Sequence, residues 1–300
     1  MEQIQTTPSE EKVLMLLAYH YVLTANQISH LCGTGLRSAQ KRIGSLYNRG
    51  LVNISPRNFG SAKGRPENVP MLNSRGFQYL KNIEKINIDI SQQIIDKTKI
   101  EHEIQLNWFR VYLKYLQKNL SDLQTKFLST YTLDLPLKNN GFPYISETYK
   151  SNNDEITFIP DGVFMIQSKK QNQSLLFFLE VDMSTEPLTS KDPGKESIEQ
   201  KINNYQELFL NGNYKRYEEE LESKFNGFRV LFLTNKKERS LAIIRLLENY
   251  SHDFFWTSDF DKMFNNGLGS KIWNRGGNKS ELKSILGTTL AFNNPLPKLK

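Results

Sequence analysis

The chain has 300 residues, of which 38% are hydrophobic and 24% charged, and its formal net charge is +7. This composition excludes disordered and fibrous proteins, and the length suffices for about two globular domains. The apolar runs are far shorter than the roughly 20 residues that cross a bilayer. The first residues lack a signal-peptide pattern, and a single cysteine excludes an internal disulfide framework. We therefore expect a cytoplasmic protein without membrane contact.

Positive charge is concentrated in the N-terminal part of the sequence. Residues 1–85 hold 11 Lys and Arg against 5 Asp and Glu, and residues 36–65 hold seven basic residues and no acidic one. Residues 86–260 are net acidic, whereas 261–300 are again basic. An uncompensated positive surface is typical of phosphate binding, although a solubilising face has the same composition.

The first 85 residues predict three helices. Ser9 is placed to cap the first helix, and Thr24, with Gln27 three residues later, has the spacing of a capping box for the second. After a glycine turn, "LRSAQKRIGSLYNRG" repeats apolar residues every three or four positions, as expected for a third, amphipathic helix. The apolar set of that helix is Leu36, Ala39, Ile43, Leu46 and Tyr47.

A β-hairpin is predicted after the third helix. The alternating segments "LVNIS" and "VPMLN" flank a basic, glycine-rich loop, and a helix capped by Ser74 follows. Three helices and such a hairpin form an N-terminal winged helix-turn-helix domain, whose third helix enters the DNA major groove while the wing reaches a phosphate or the minor groove. The fold also serves as a protein-interaction module. We predict double-stranded DNA as the partner because the third helix and the loop together carry the seven basic residues.

The predicted DNA contacts lie on the third helix and in the loop. Arginine and glutamine read guanine and adenine edges in the major groove, whereas a lysine at a phosphate adds affinity without sequence information. The expected groove contacts are Arg37, Ser38, Gln40 and Lys41. The expected phosphate contacts are Arg42 and Arg49, together with Lys63 and Arg65 in the wing.

The remainder of the chain predicts a second domain of the α/β class. Its pattern has the order α-β-β-β-α-β-α-β and begins with a long amphipathic helix over residues 100–119. A mixed sheet with helices on both faces is the natural way to bury so many apolar strands. The predicted domains are 1–85, a linker at 86–98, and an α+β domain at 99–300 that ends in a basic extension.

Three carboxylates fall in predicted strands of the second domain. Asp161 follows Pro160, and Glu180 and Asp182 lie in the next strand, where alternation places them on one face. Carboxylates on neighbouring buried strands repel each other, and a divalent metal is the commonest remedy. Asp161 before a glycine is also typical of an ordinary turn. Glu180 in the middle of an apolar strand is costly unless it has a partner.

The order of several motifs resembles a known family. "PDG" at residues 160–162, "FFLEVDMSTE", Lys201 and Tyr205 in a "KxxxY" pattern, and "FRVLFLT" follow the predicted winged helix. This set resembles the replication-relaxation family of bacterial plasmids and mobile elements over nearly the whole chain. The second domain of that family is similar to the PD-(D/E)xK nuclease fold. The resemblance implies DNA binding in replication, relaxation or transfer, with plasmid replication or transfer proteins as further partners.

The resemblance also implies a metal-dependent site. Asp161 and Glu180 match positions that would ligate Mg²⁺, which would clamp a scissile phosphate and polarise a water molecule. Glu101 or Glu103 would supply the further carboxylate that some members use. The third motif position is Asp182, where active nucleases usually carry a lysine, and a carboxylate cannot stabilise the developing phosphorane charge.

Two interpretations of this departure stay open. Lys201 lies one turn before Tyr205 on the following helix, so its ammonium is able to take the place of the motif lysine. Alternatively, the site is a relic in a domain that only holds DNA or a partner. A surface lysine is the default interpretation of Lys201, and a core aromatic that of Tyr205.

Three functions are consistent with these sequence patterns. The first is a DNA-binding protein of a plasmid or mobile element, the second is a Mg²⁺-dependent endonuclease that nicks or cuts selected DNA, and the third is a winged-helix transcriptional regulator. The four histidines do not cluster, and no nucleotide-binding motif has the right context. No cofactor is expected apart from Mg²⁺ in an active nuclease site.

Overall fold

The computed structural model describes most of the chain. The residues described are 5–55, 68–86, 99–130, 135, 138, 141–151, 154–192, 196–278 and 281–287. Nearly all of the predicted linker at 86–98 lies outside them, as do Arg57, Lys63 and Arg65 of the predicted wing. The chain divides into two compact units, the first comprising 1–111 and 131–136, and the second 112–130 and 137–298.

The described part of the first unit consists of helices, a hairpin and the beginning of a long helix. The hairpin strands β1 and β2 pair antiparallel, with Val52 opposite Leu72 and Ser55 opposite Val69. The elements are α1 (Pro8–His20), α2 (Ala25–Cys32), α3 (Leu36–Asn48), β1 (Val52–Ser55), β2 (Val69–Leu72), α4 (Ser74–Asn82) and the first part of α5 (Ile100–Asn119).

Helix α1 has its N-cap two residues earlier than the sequence suggested. Thr7, and not Ser9, is the N-cap, because its side chain accepts a hydrogen bond from the Glu10 amide while the Glu10 carboxylate accepts one from the Thr7 amide at 2.8 Å. Pro8 takes the first helical position, where a missing N–H has no consequence. The prediction of Ser9 as the cap was therefore wrong.

The caps of α2 and α4 follow the same chemistry. The capping box of α2 is confirmed, since the Gln27 side chain accepts from the Thr24 amide at 2.8 Å. In α4 the cap is Asn73 instead of Ser74, and its side-chain oxygen accepts from the amide of Gly76 at 2.9 Å. An asparagine directly before a serine competes for the same role, and either residue type is a good N-cap.

The core of the first unit is formed by α1, α2, α3 and the residues that follow α3. Leu14, Leu17, Ile28 and Leu46 are fully enclosed. Of the apolar set predicted for α3, Tyr47 is 52% exposed, because it follows Leu46 and points about 100° away around the helix. The prediction that Tyr47 belongs to the apolar face of α3 was wrong.

The first half of α5 belongs to the first unit. Asn107 donates to the carbonyl oxygens of His20 and Val22 at 2.9 and 2.7 Å, and Gln27 donates to the carbonyl of Ile104 at 2.8 Å. The two bonds from Asn107 satisfy backbone carbonyls at the end of α1 and in the connection to α2. The predicted domain start at residue 99 consequently lies inside the first unit.

Gly76 is required by the packing of α4. A Cβ at this position would lie 2.2 Å from the carbonyl oxygen of Leu51, which is backbone and cannot move aside. We expect Gly76→Ala to lower the free energy of unfolding by about 2 kcal/mol through overpacking. Urea denaturation of the full chain measures this, with Gly44→Ala as a control, since a Cβ at Gly44 meets no atom within 4 Å. A Gly76→Ala protein as stable as the wild type would contradict the packing argument.

The second unit is built on a seven-stranded sheet. The end of α5 precedes β3 (Leu123–Ser129), and β4 (Glu147–Ser151) pairs with β5 (Asp154–Phe158) in a separate hairpin. The remaining elements are β6 (Gly162–Ser168), β7 (Gln173–Asp182), α6 (Ile198–Leu210), α7 (Tyr217–Glu220), β8 (Phe228–Thr234), α8 (Lys237–Leu247), β9 (Phe255–Asp259), α9 (Phe260–Asn266), β10 (Trp273–Arg275) and β11 (Leu282–Lys283).

The sheet is mixed, and the predicted α+β class is confirmed. Its strand order is β11-β10-β9-β8-β7-β6-β3. The central strands β7, β8 and β9 are parallel, whereas the pairs β3–β6, β6–β7, β9–β10 and β10–β11 are antiparallel. The parallel strands are connected through helices, which is the usual crossover in an α/β sheet.

The segment "ITFIPDGVFMI" forms two strands and not one. β5 ends at Phe158 and β6 begins at Gly162, because Pro160 cannot donate a hydrogen bond to a strand ladder. Asp161 therefore lies directly before β6 instead of inside a strand. The sequence pattern also did not predict β4, α9, β10 or β11. None of the described helices combines the length and apolar character needed to cross a bilayer.

Candidate functional site

Glu180 is a buried carboxylate in the centre of the sheet. It lies in β7 opposite Phe232 of β8, and its side chain is 4% exposed. A carboxylate at this depth is costly unless both oxygens have partners. Oε2 accepts a hydrogen bond from the Lys201 ammonium at 3.0 Å, and Oε1 accepts one from the Tyr205 hydroxyl at 2.5 Å.

Helix α6 presents both partners of Glu180. Ser197 caps this helix by accepting from the Gln200 amide, so Lys201 and Tyr205 stand one turn apart on the same face. The Lys201 ammonium also donates to the Glu186 carboxylate at 2.9 Å. The lysine is therefore held between two carboxylates and is not a free surface residue.

Asp161 lies beside Glu180 at the start of β6. Because Gly162 pairs with Leu179 across the antiparallel β6–β7 ladder, the preceding residue of β6 lies next to Glu180. The Asp161 carboxylate accepts from the amide of Val181 at 2.7 Å. We refer to the following residues as the Glu180 cluster: Asp161, Glu180, Glu186, Lys201 and Tyr205.

Burial and charge act in opposite directions on the cluster. Burial raises the pKa of Glu180, the Lys201 ammonium lowers it, the nearby Asp161 charge raises it and the Tyr205 hydroxyl lowers it, so that the net pKa is about 7. Burial alone would lower the pKa of Lys201, but Glu180, Asp161 and Glu186 raise it well above its ordinary value. The ammonium thus stays charged and holds the carboxylates together.

Asp182 forms a separate ion pair. Its carboxylate accepts from Nε of Arg239 at 2.5 Å and from the amide of Ser184 at 2.8 Å. Arg239 also donates to the carbonyl oxygen of Glu186 at 2.8 Å. The structure therefore brings Asp161, Glu180 and Lys201 together, while α8 supplies the partner of Asp182.

Sequence reasoning missed three members of this arrangement. Tyr205 was interpreted as a core aromatic, which it is, but its hydroxyl also bonds Glu180. The four-residue spacing from Lys201 was the available signal. Glu186 and Arg239 had no comparable signal, because Arg239 meets Asp182 across 57 positions of sequence.

The Glu180 cluster is arranged as an ion-pair network and not as the preformed Mg²⁺ site that the family resemblance implied. Among the described residues, no group of three or more His, Cys, Asp or Glu side chains is arranged to hold a metal ion. Both oxygens of Glu180 already accept hydrogen bonds, and the Lys201 ammonium supplies the compensating positive charge. In the first unit, Glu103 lies 3.5 Å from a ring nitrogen of His102, and nothing assigns it or Glu101 to a metal.

The first unit carries a second candidate site on α3. Arg37, Gln40, Lys41, Tyr47 and Asn48 are exposed. They surround the half-buried Gly44, at whose Cβ position no atom lies within 4 Å. We call the following residues the α3 exposed face: Arg37, Gln40, Lys41, Gly44, Tyr47 and Asn48.

The other predicted DNA contacts of α3 are less accessible. Ser38 and Arg42 are half-buried, and the Arg42 guanidinium lies 3.4 Å from the Thr34 hydroxyl. Arg49 forms an ion pair with Glu10 at 3.3 Å, and Glu10 belongs to the capping box of α1. Arg49 therefore connects the end of α3 to α1, which gives it a role in the fold.

Comparison with protein families identifies the chain. Residues 14–221 match the family model described as replication-relaxation, which is more than half of the sequence. The chain belongs to the replication-relaxation family. The predicted resemblance is thus confirmed. No curated protein and no solved structure matches the chain.

The matched region of this replication-relaxation protein includes both candidate sites. It begins in α1, contains α3, and ends directly after α7, so that it covers the α3 exposed face and the whole Glu180 cluster. Arg239, the partner of Asp182, lies beyond it. Membership associates the chain with replication or relaxation, as the family description states.

Proposed function

We propose that this replication-relaxation protein binds double-stranded DNA through a winged helix-turn-helix in its first unit, and that it acts in the replication or transfer of a plasmid or mobile element. The α3 exposed face carries this proposal. Arg37 and Lys41 are exposed on a helix that has no acidic residue, and no described carboxylate pairs with either of them.

The arrangement of α3 suits the DNA major groove. Arg37, Gln40 and Lys41 are three and four residues apart, so they project from the same side of the helix. An α-helix fits the width of the major groove, where arginine and glutamine recognise base edges. The α1, α2, α3 and β1–β2 order is the one expected of a winged helix-turn-helix, and the family description supplies the context of replication or relaxation.

In this proposal, the Glu180 cluster is a buried ion-pair network and does not cleave DNA. The exposed fractions of the Glu180 and Lys201 side chains are 4% and 14%. Cleavage requires these side chains to hold a metal ion or to contact the scissile phosphate, and here they are already hydrogen-bonded to one another. The position that carries lysine in active nucleases is Asp182, which is neutralised by Arg239.

A metal-dependent endonuclease is the second candidate function. It is favoured by one observation, the Lys201 ammonium lying 3.0 Å from Glu180 and next to Asp161. A lysine supplied by the helix in this way is able to substitute for the motif lysine that the strand lacks. The two candidates differ in whether DNA is cut.

Binding and cleavage are measured on the same full-length protein. We expect tight binding of labelled duplex DNA by fluorescence anisotropy, with an affinity that falls steeply as salt rises. With Mg²⁺ or Mn²⁺, supercoiled plasmid is expected to stay intact. Absence of duplex binding would contradict the first function. Cleavage by the wild type that disappears in Asp161→Asn would establish the endonuclease instead.

A further inference from the structure

Gly44 is an unusual residue for its position in α3. The helix spans Leu36–Asn48, so Gly44 lies in its interior, where glycine is the least favourable residue apart from proline. Glycine is used in such places when the backbone needs a special conformation, when packing leaves no room, or when a ligand approaches the backbone closely. Each of these reasons predicts a different feature of the structure around the glycine.

The first two reasons do not apply to Gly44. Its backbone is helical and is not among the positive-φ glycines of the chain. A Cβ built on Gly44 meets no atom within 4 Å, whereas a Cβ on Gly76, the glycine of α4, would lie 2.2 Å from the Leu51 carbonyl oxygen. Packing within the described protein therefore explains Gly76 and does not explain Gly44.

The four residues one turn away from Gly44 on α3 are exposed, and none of them is acidic. These neighbours are Gln40, Lys41, Tyr47 and Asn48. Tyr47 is 52% exposed and does not belong to the buried core. Because Gly44 has no side chain between these four, the space beside its backbone is open, and we call this space the Gly44 notch.

We propose that Gly44 is the point of closest contact between α3 and the DNA, where a sugar-phosphate strand packs against the helix backbone. This inference rests on the proposed duplex binding and adds the contact that sets how deeply α3 enters the groove. The Gly44 notch complements such a strand in charge and in chemistry. Tyr47 and Asn48 are able to donate hydrogen bonds to phosphate oxygens, and the Tyr47 ring offers an apolar surface to the sugars.

The inference predicts that stability and DNA affinity change in opposite directions. Alanine at residue 44 favours the helix and meets no obstacle in the protein, so the fold becomes more stable. The added methyl group occupies the space that the DNA strand needs, and an overpacked contact weakens binding. A residue with a purely structural role would not separate the two properties in this way.

The test uses Gly44→Ala and Gly44→Gln in the full-length chain. We expect Gly44→Ala to raise the melting temperature by about 2 °C. The affinity of Gly44→Ala for duplex DNA should fall about tenfold, because one methyl group overfills the contact. The affinity of Gly44→Gln should fall about 100-fold, because a long side chain overfills it further. Gln78→Ala on the exposed surface of α4 is the control, with an unchanged affinity.

Each outcome separates this inference from the proposed function. If the wild type binds duplex DNA and Gly44→Ala binds equally well, the contact at Gly44 is wrong and duplex binding stands. If Gly44→Ala melts at a lower temperature than the wild type, the glycine has an internal role and the inference is overturned. If the wild type does not bind duplex DNA, both proposals are overturned.

Discussion

The double substitution Arg37→Ala/Lys41→Ala is expected to lower the affinity for duplex DNA about 100-fold. A contact to a base edge contributes about 1–3 kcal/mol, and each 1.4 kcal/mol corresponds to about a factor of ten. Both side chains are exposed on α3, so their removal leaves the buried residues Ala39, Ile43 and Leu46 in place. Fluorescence anisotropy over a series of salt concentrations measures both the affinity and its salt dependence.

The salt series distinguishes a direct contact from a general loss of charge. Each phosphate contact that is lost lowers the slope of log affinity against log salt by about one. The matched control is Lys12→Ala/Lys81→Ala, which removes two exposed positive charges of the same unit from outside α3. Equal losses in the two double variants would show that α3 is not the DNA-reading helix.

Lys201→Met is expected to lower the free energy of unfolding by about 3 kcal/mol at pH 8. Without the ammonium, the Glu180 carboxylate stays buried beside Asp161 with no opposite charge, and only the Tyr205 hydroxyl still donates to it. Breaking one side of a buried pair is costlier than replacing both. The double variant Lys201→Met/Glu180→Gln should therefore regain most of the loss in urea denaturation.

The pH dependence of the same variants provides a second readout. The pKa of Glu180 is about 7 in the folded protein and 4.5 as an ordinary glutamate, so between these values the folded state binds more protons. Unfolding free energy consequently falls as pH rises from about 4.5 to 7. The pKa of Lys201 is raised above 10.5, and its stabilising contribution is lost only at higher pH. In Lys201→Met the ammonium no longer lowers the pKa of Glu180. The unfolding free energy should therefore fall more steeply with rising pH than in the wild type, and it should continue to fall above pH 7.

A surface ion pair is the control for this prediction. Lys224 lies 2.7 Å from Glu218, and its side chain is 90% exposed. Lys224→Met should change the free energy of unfolding by no more than about 0.5 kcal/mol, because exposed pairs contribute little. A Lys201→Met variant that behaves like Lys224→Met at every pH would contradict a buried network centred on Glu180.

Local patterns explain which parts of the fold the sequence predicted correctly. The three N-terminal helices, the β1–β2 hairpin and the Thr24 capping box depend on residues within one or two turns of each other. The same holds for Lys201 and Tyr205, whose four-residue spacing puts them on one side of α6. The mixed sheet followed from apolar strands alternating with helices.

The incorrect predictions also have causes in the local sequence. Pro160 separates β5 from β6 and leaves Asp161 outside both strands. Tyr47 follows a core leucine on α3 and therefore faces solvent, although an apolar stripe of the usual width would include it. Where two neighbouring residues are both good caps, as at Asn73 and Ser74, the sequence does not rank them.

The sequence by itself determined the order of the N-terminal helices and hairpin, the basic third helix and the presence of a carboxylate that needed compensation inside a strand. Only the tertiary structure decided which cation compensates each carboxylate: Lys201 for Glu180, Arg239 for Asp182, and Arg49 for Glu10. Helix periods and caps depend on near neighbours in the chain, whereas an ion pair forms wherever packing brings opposite charges together. The Arg239 and Asp182 side chains meet across 57 positions, so no local pattern connects them.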